Sequence, residues 1–440
     1  MKFWKNFKHF LTGLILLAPL PAATQPRLLL SVDSLLQLGM AQNVQLRILR
    51  QQEEMARSRA KTARTAKLPE VQVGLKGGYL GQPIVFREGL SHPTRPQSPH
   101  WLQNYEIDLS QPIYQGGRIR YSIEKADIEQ KIAELQTLQN EADIKLALLE
   151  QYMQLFSLYK QQTVLARNIE ESTKRLENIK SKKRQGLITN NDVLRSELQL
   201  TNDRLALQEV DNSLTLMSQQ LDILLGLDEQ TLIVPDTTLL RQINPTSDYA
   251  DYLQKAYRDD WTMRRLRQET QLALNNQRLV KAEFLPQLSL YAGNTLARPI
   301  TRTMADYYNN SWNIGLTLSY PLSSLYKNRH KLEEARLNIY ASQQQEELRK
   351  QSLRMEIRTA LIRHQEAQDR VKALELSVRQ ARENYRIMRN RYFGQLSILT
   401  DLLDANSVLL DAELQLTTAR ARVIYTLIPQ HILLEINLKY

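Results

Sequence analysis

Residues 105–118 read YEIDLSQPIYQGGR, and the character of the chain changes three times along them. Tyr105, Ile107 and Leu109 alternate with Asn104, Glu106, Asp108 and Ser110, the period-two pattern of a strand with one apolar face and one polar, acidic face. Pro112 lacks the N–H that a continuing ladder needs and is welcome in a first helical turn, so it predicts the end of the strand and the opening of a helix. Gly116 and Gly117 loosen the backbone at that bend, which reads as a turn rather than a phosphate cradle, with Arg118 structural. A helix from Gly117 to Gln185 runs roughly 100 Å at about 1.5 Å per residue, a length with few uses in a compact enzyme. Along it Ile128, Ile132, Leu135, Ala142, Leu146, Leu149, Met153 and Phe156 follow steps of four and three, the spacing of helices that pack as coiled coils.

Outward from this stretch the same order of elements occurs twice: helix, short strand, polar loop, second strand, very long helix, glycine turn, helix. Leu68-Pro69 matches Leu285-Pro286, Pro112 matches Pro321, and Gly186 matches Gly394, which gives a repeat of about 210 residues. The first copy spans 24–226, with strands near 69–80 and 101–112, and the second spans 249–440, with strands near 285–297 and 310–321. Residues 227–248, with Pro235 and Pro245, form the linker. The second long helix carries its own stripe, Val371, Leu374, Val378, Ala381, Tyr385, Met388 and Tyr392. Its bend lacks the glycine pair and has Ser323-Ser324 and Tyr326-Lys327-Asn328 instead, so the two bends need not be equivalent.

The four strands share one apolar and one polar face: Val71, Val73 and Leu75 in the first, Leu288 and Leu290 in the third, Trp312, Ile314, Leu316, Leu318 and Tyr320 in the fourth. Strands of about ten residues with apolar faces outward, polar faces inward and aromatic residues near their ends, here Trp101, Tyr105, Tyr114 and Trp312, suit a membrane β-barrel around water. Four strands cannot close a barrel, and open edges are not tolerated in lipid, so several chains must contribute strands. The segments 81–100 and 298–309, rich in Pro, Gly, His and Arg, read as surface loops.

Composition removes other classes. Lys2, Lys5 and Lys8 precede an apolar run from Phe10 to Leu20 that ends at Ala22 and Ala23, the pattern of a secretory leader covering 1–23. Elsewhere no apolar run approaches the length of a transmembrane helix. The net charge of +11 invites a nucleic-acid reading, but acids and bases alternate along the helices as solvated faces do. With no cysteine, and six histidines that never fall four apart, metal and thiol chemistry have no foothold. No nucleophile–base or paired-carboxylate constellation stands out, which argues against an enzyme, and no cofactor is expected.

The run 105–118 resembles the strand-to-helix junction of the TolC-like outer-membrane efflux proteins. The likeness extends over the mature chain, including residues 30–46, LSVDSLLQLGMAQNVQL, the Leu-Pro before strands one and three, DVL at 192–194 and DLLDA at 401–405. Val44 stands where many members carry proline. The resemblance implies a mostly helical chain with four strands, three copies of which close a twelve-stranded outer-membrane barrel continued by a periplasmic α-helical barrel. It implies a passive, gated exit duct in the outer-membrane lipid. Its partners would be a periplasmic adaptor and an inner-membrane transporter, and its cargo small molecules. Type I protein secretion and a periplasmic coiled-coil scaffold without a pore are the alternatives. It also implies that acids at the helix turns farthest from the membrane, Asp401 and Asp404, form the constriction, with Asp192, Tyr392, Arg389 and Arg391 as further gate candidates. Asp401 lies seven residues after Gly394 while Asp192 lies six after Gly186, a spacing that predicts one extra residue in the second turn.

Overall fold

The computed structural model describes residues 26–96, 98–236, 249–298 and 306–432. The expected leader (1–23), most of the linker and the tip of the 298–309 loop lie outside these residues. The first half contains β1 (Arg27–Leu30), α1 (Val32–Gln42), α2 (Val44–Thr65), β2 (Glu70–Tyr79), β3 (Val85–Glu88), β4 (Ser91–Thr94), β5 (Trp101–Tyr114), α3 (Arg118–Arg184) and α4 (Asn190–Leu225). After β6 (Leu232–Pro235) the second half brings α5 (Tyr249–Asp259), α6 (Trp261–Ala282), β7 (Gln287–Arg298), β8 (Asn309–Ser319), α7 (Ser324–Lys327), α8 (Arg329–Phe393) and α9 (Leu399–Ile432). The helix pair α1/α2 is divided by Asn43, whose side chain accepts from the Leu46 N–H and caps α2, with Val44 opening that helix.

The four long strands form one antiparallel sheet in the order β2-β5-β7-β8, so the β5/β7 seam joins the two halves. Its register gathers the alternating residues of every strand. Val73 faces Ile107, Leu109 faces Ala292, and Ala292 faces Ile314, which puts the apolar positions on one face. That face has no cover within the chain: Leu75 is 75% exposed and Trp312 74%. On the polar face three bulky groups lie over glycines of the neighbouring strand. A Cβ on Gly293 would sit 2.7 Å from Asp108 Oδ1, one on Gly74 3.0 Å from Glu106 Cγ, and one on Gly315 2.5 Å from the Tyr291 hydroxyl. Both edges of the sheet, β2 and β8, are unpaired among the described residues.

Pro112 does not end β5, as its sequence context suggests; the strand continues to Tyr114. The missing N–H is absorbed by a register shift between Pro112 and Tyr114 opposite β7. The bend follows at Gly116 (φ 61°) and Gly117 (φ 88°), left-handed conformations that favour glycine. A Cβ on Gly116 would lie 2.7 Å from Leu285 Cβ and 2.8 Å from the Ala282 carbonyl, so the first bend is roofed by the end of α6. The second bend is built differently. β8 stops at Ser319, the Pro321 carbonyl accepts from the Ser324 N–H, and the single turn α7 intervenes before α8.

The long helices α3 and α8, of 67 and 65 residues, each extend roughly 100 Å. Helices α2, α3, α6 and α8 pack in that order below the sheet, and α4 and α9 line the far portions of α3 and α8. The main core sits partway along α3, where Leu148, Leu149, Tyr152 and Leu155 meet Leu35, Leu46, Leu221, Leu225 and Ile233. There β1 and β6 pair in parallel, and the buried Tyr152 hydroxyl lies 2.8 Å from the Leu30 carbonyl and 2.7 Å from that of Asp236. The expected surface loop after β2 contains the small exposed hairpin β3–β4. No helix among the described residues is long and apolar enough to cross a membrane.

Candidate functional site at the helix-turn tips

The helix hairpins α3/α4 and α8/α9 end side by side on a shared apolar cluster of Leu176, Ile179, Val193, Leu200, Tyr385, Tyr392, Leu399 and Leu402. The first turn is left-handed at Gly186 (φ 73°), where the Gly186 N–H reaches the Lys183 carbonyl and the Leu187 N–H that of Lys182. In the second turn the left-handed residue is Gln395 (φ 61°), not Gly394, with bonds from Gln395 N–H to Tyr392 and from Leu396 N–H to Arg391. The two hydrogen-bond patterns are the same. Counted from the left-handed residue, Asp192 and Asp401 occupy the same position. The extra residue expected from glycine spacing is therefore absent; the glycine has shifted, not the turn.

The two acids nevertheless differ. Asp192 is committed to its own helix: its Oδ2 accepts from the Thr189 N–H at 3.0 Å while Thr189 Oγ1 accepts from the Asp192 N–H, a reciprocal capping box. Before α9 the corresponding residue is Ile398, which has no capping group. Asp401 and Asp404 are exposed and make no hydrogen bond or ion pair among the described residues. Three residues apart, they lie near one face of α9.

Tyr392 is buried in the shared cluster and its hydroxyl has no partner. Burial pushes its phenol up, and the nearby Asp192 charge pushes it further, so it stays protonated. Lys182 Nζ sits over the Tyr392 and Phe393 rings and donates to the Phe393 carbonyl at 3.1 Å, tying α3 to α8. Arg195 ties α4 to α9 through Thr400 Oγ1 at 2.6 Å. Arg391 donates to the Leu396 carbonyl and secures its own turn, and Arg389 is exposed on α8. Deeper in, buried Arg175 reaches Tyr385 and Asn406. Nothing in the sequence marks Lys182, Arg175 or Arg195 as cross-ties, because a basic residue in a charged helix reads as solvated until the packing is known. Leu187, Leu396 and Ile398 leave an apolar, exposed rim at the turns.

A sheet that gathers most of its apolar side chains on one uncovered face, continued by long helix pairs to the two turns, has the form of a subunit of an outer-membrane channel-tunnel. The chain belongs to the outer membrane efflux protein family, whose model matches residues 35–227 and 252–428. This is a family of channels rather than enzymes, and it places the chain in the outer membrane with its helices in the periplasm. The chain is similar to the outer membrane protein VceC of Vibrio cholerae, at 19% identity over 92% of this chain and 96% of that one, with a TM-score of 0.75. It is similar to the CmeC outer membrane channel of Campylobacter jejuni at 15% identity, over 92% and 85% of the two chains, with a TM-score of 0.73. It also resembles the open state of the MtrE outer membrane channel of Neisseria gonorrhoeae, at 18% identity over 92% and 88%, with a TM-score of 0.69. No curated protein matches the sequence.

Proposed function

We propose that three copies of this chain assemble into a passive, gated exit duct through which small molecules leave the periplasm or inner membrane. In this arrangement a periplasmic adaptor and an energised inner-membrane transporter engage the helical end. The observation that carries the reading is the register of the four-stranded sheet, which collects its apolar residues on one bare face and leaves both edges open. Lipid tolerates neither an open edge nor an unpaired backbone, so the edges of β2 and β8 meet those of other copies. The polar face then lines water, with Glu106 and Asp108 held against the wall over their glycines.

The entrance lies at the tips, and Asp401 and Asp404 form its constriction. Unlike Asp192, neither is engaged by a cap or an ion pair, so three copies bring six free carboxylates together and favour cations. Tyr392, with Lys182 and Arg195, holds the two hairpins closed, and Arg391 fixes the second turn; Asp192 contributes charge beside Tyr392.

Planar-bilayer conductance of the detergent-purified protein tests this, comparing wild type with Asp401→Ala/Asp404→Ala. The expected result is a cation-selective pore whose selectivity falls in the variant. An unchanged selectivity would remove these two residues from the entrance, and a protein that stays soluble and non-trimeric without detergent would refute the duct itself.

A further inference from the structure

A groove of about 510 Å³ opens between α3, α8 and α9, extending from about one to about five turns above the tips. Its lining includes the buried amides of Asn168 and Asn406 and the guanidinium groups of Arg167, Arg382, Arg386 and Arg389. The polarity of the amides is forced by Arg175, which is only 5% exposed and can only donate. It donates to the Tyr385 hydroxyl at 3.1 Å, to Asn406 Oδ1 at 3.1 Å and to Ser172 Oγ at 2.7 Å. With its oxygen turned to Arg175, Asn406 must present its NH2 the other way, and it donates to Asn168 Oδ1 at 3.2 Å. Asn168 is fixed by the same logic, because flipping it would set two NH2 groups against each other. Its Nδ2 is therefore the end of a chain of donors that begins at a cation. Asn168 is 8% exposed, and that Nδ2 has no acceptor.

The charges around the groove lean the same way. Glu413 holds Arg167 and Arg382, and Glu383 holds Arg386. Glu171 also lines the groove and makes no ion pair or hydrogen bond among the described residues, since Lys174 is held by Glu170, so four guanidinium groups face three carboxylates. Arg389 has no ion pair or hydrogen bond among the described residues. The groove thus combines an excess of one guanidinium over its carboxylates with one buried, unanswered amide N–H, a pairing that suits a negatively charged acceptor. We infer that it is a binding site for a small soluble oxyanion, a carboxylate or phosphate group, received by Asn168 Nδ2 at its floor and Arg389 at its rim. Charge-assisted bonds of this kind are roughly twice as strong as neutral ones.

The test uses the purified full-length protein in detergent and is independent of whether it conducts. Thermal melting is followed against inorganic phosphate, and separately acetate, at constant ionic strength with chloride as the balancing ion. Wild type is expected to show a saturable rise in melting temperature with an oxyanion in the millimolar range, absent with chloride alone. Asn168→Asp keeps an oxygen for Asn406 but places a carboxylate where the ligand sits; it is expected to melt no lower than wild type without ligand and to lose the oxyanion-dependent rise. Arg389→Gln should weaken the apparent affinity about tenfold, equivalent to about 1.4 kcal/mol. A wild type without a saturable response, in which water answers the Asn168 amide, would overturn the inference. So would a response that survives unchanged in Asn168→Asp.

Discussion

The two helix hairpins are copies with different interiors. Aligned on their left-handed turn residues, Ser172, Ser196 and Asp203 of α3/α4 fall where α8/α9 has Ala381, Ala405 and Ala412, and all six are buried. One hairpin packs on small apolar contacts. The other places there a polar chain in which Ser172 Oγ donates to Asp203 Oδ2 at 2.9 Å and Gln199 donates to Asp203 Oδ1 at 2.9 Å. Since Ser172 also accepts from Arg175, the polar hairpin is the one that compensates a buried cation, and through Arg175 it grips its partner. The two hairpins share their turn geometry, while their chemistry differs where one hairpin must hold the other.

The comparison sharpens most at Asp222, the second buried aspartate of α4. Unlike Asp203 it is fully enclosed with both carboxylate oxygens unpartnered. Burial raises its carboxyl to about 6, with Asp228 and Glu229 adding to the shift. A raised carboxyl costs the folded state nothing below the unfolded value near 3.8; the cost grows as pH rises through about 6 and is complete above it. Asp222→Asn is expected to stabilise the protein at pH 8 by up to roughly 3 kcal/mol and to leave it nearly unchanged at about pH 3, below the unfolded value, measured by melting at both. A gain equal at the two values would sink this account.

Asp203→Ala, which installs the residue of the other hairpin, is expected to cost about 2 kcal/mol in denaturant unfolding, because it strips the buried Ser172–Arg175 pair of its carboxylate. If it proves silent, the polar interior is not what separates the copies. The smallest effects belong to the turns. Gly186→Ala meets no neighbour, so its expected loss of about 1 kcal/mol is backbone strain alone, and Gln395→Gly should regain about as much. Equal and opposite shifts in melting temperature would establish that the turns are equivalent; a loss in both would refute it.

Much of the fold is legible in the sequence because it is periodic. Strand alternation and heptads repeat over many residues, and the sheet register only brings together faces already present in β2, β5, β7 and β8. What escapes is non-local or conformational. The β1–β6 pair is four residues long and joins segments far apart, so it leaves no local pattern. The second turn is misread because the left-handed residue there is Gln395, and glycine counting follows composition rather than φ. At the candidate site Asp401, Asp404 and Tyr392 are visible as residue types at suggestive positions. The difference between a capped Asp192 and an uncapped Asp401 rests on Thr189 against Ile398, which becomes informative only once the turns are aligned correctly.

The short β1–β6 ladder also constrains the order in which the molecule can be built. Among the described strands, residues 27–30 leave the exporting machinery first, yet their partner lies at 232–235. Closing a loop of about 200 residues carries an entropic cost that grows only slowly with length, but a contact this non-local cannot form before its second half has been delivered. Leu28 and Leu30 therefore wait uncovered while nearly half of the chain is threaded across, and this early segment is completed only after much of the later chain has arrived.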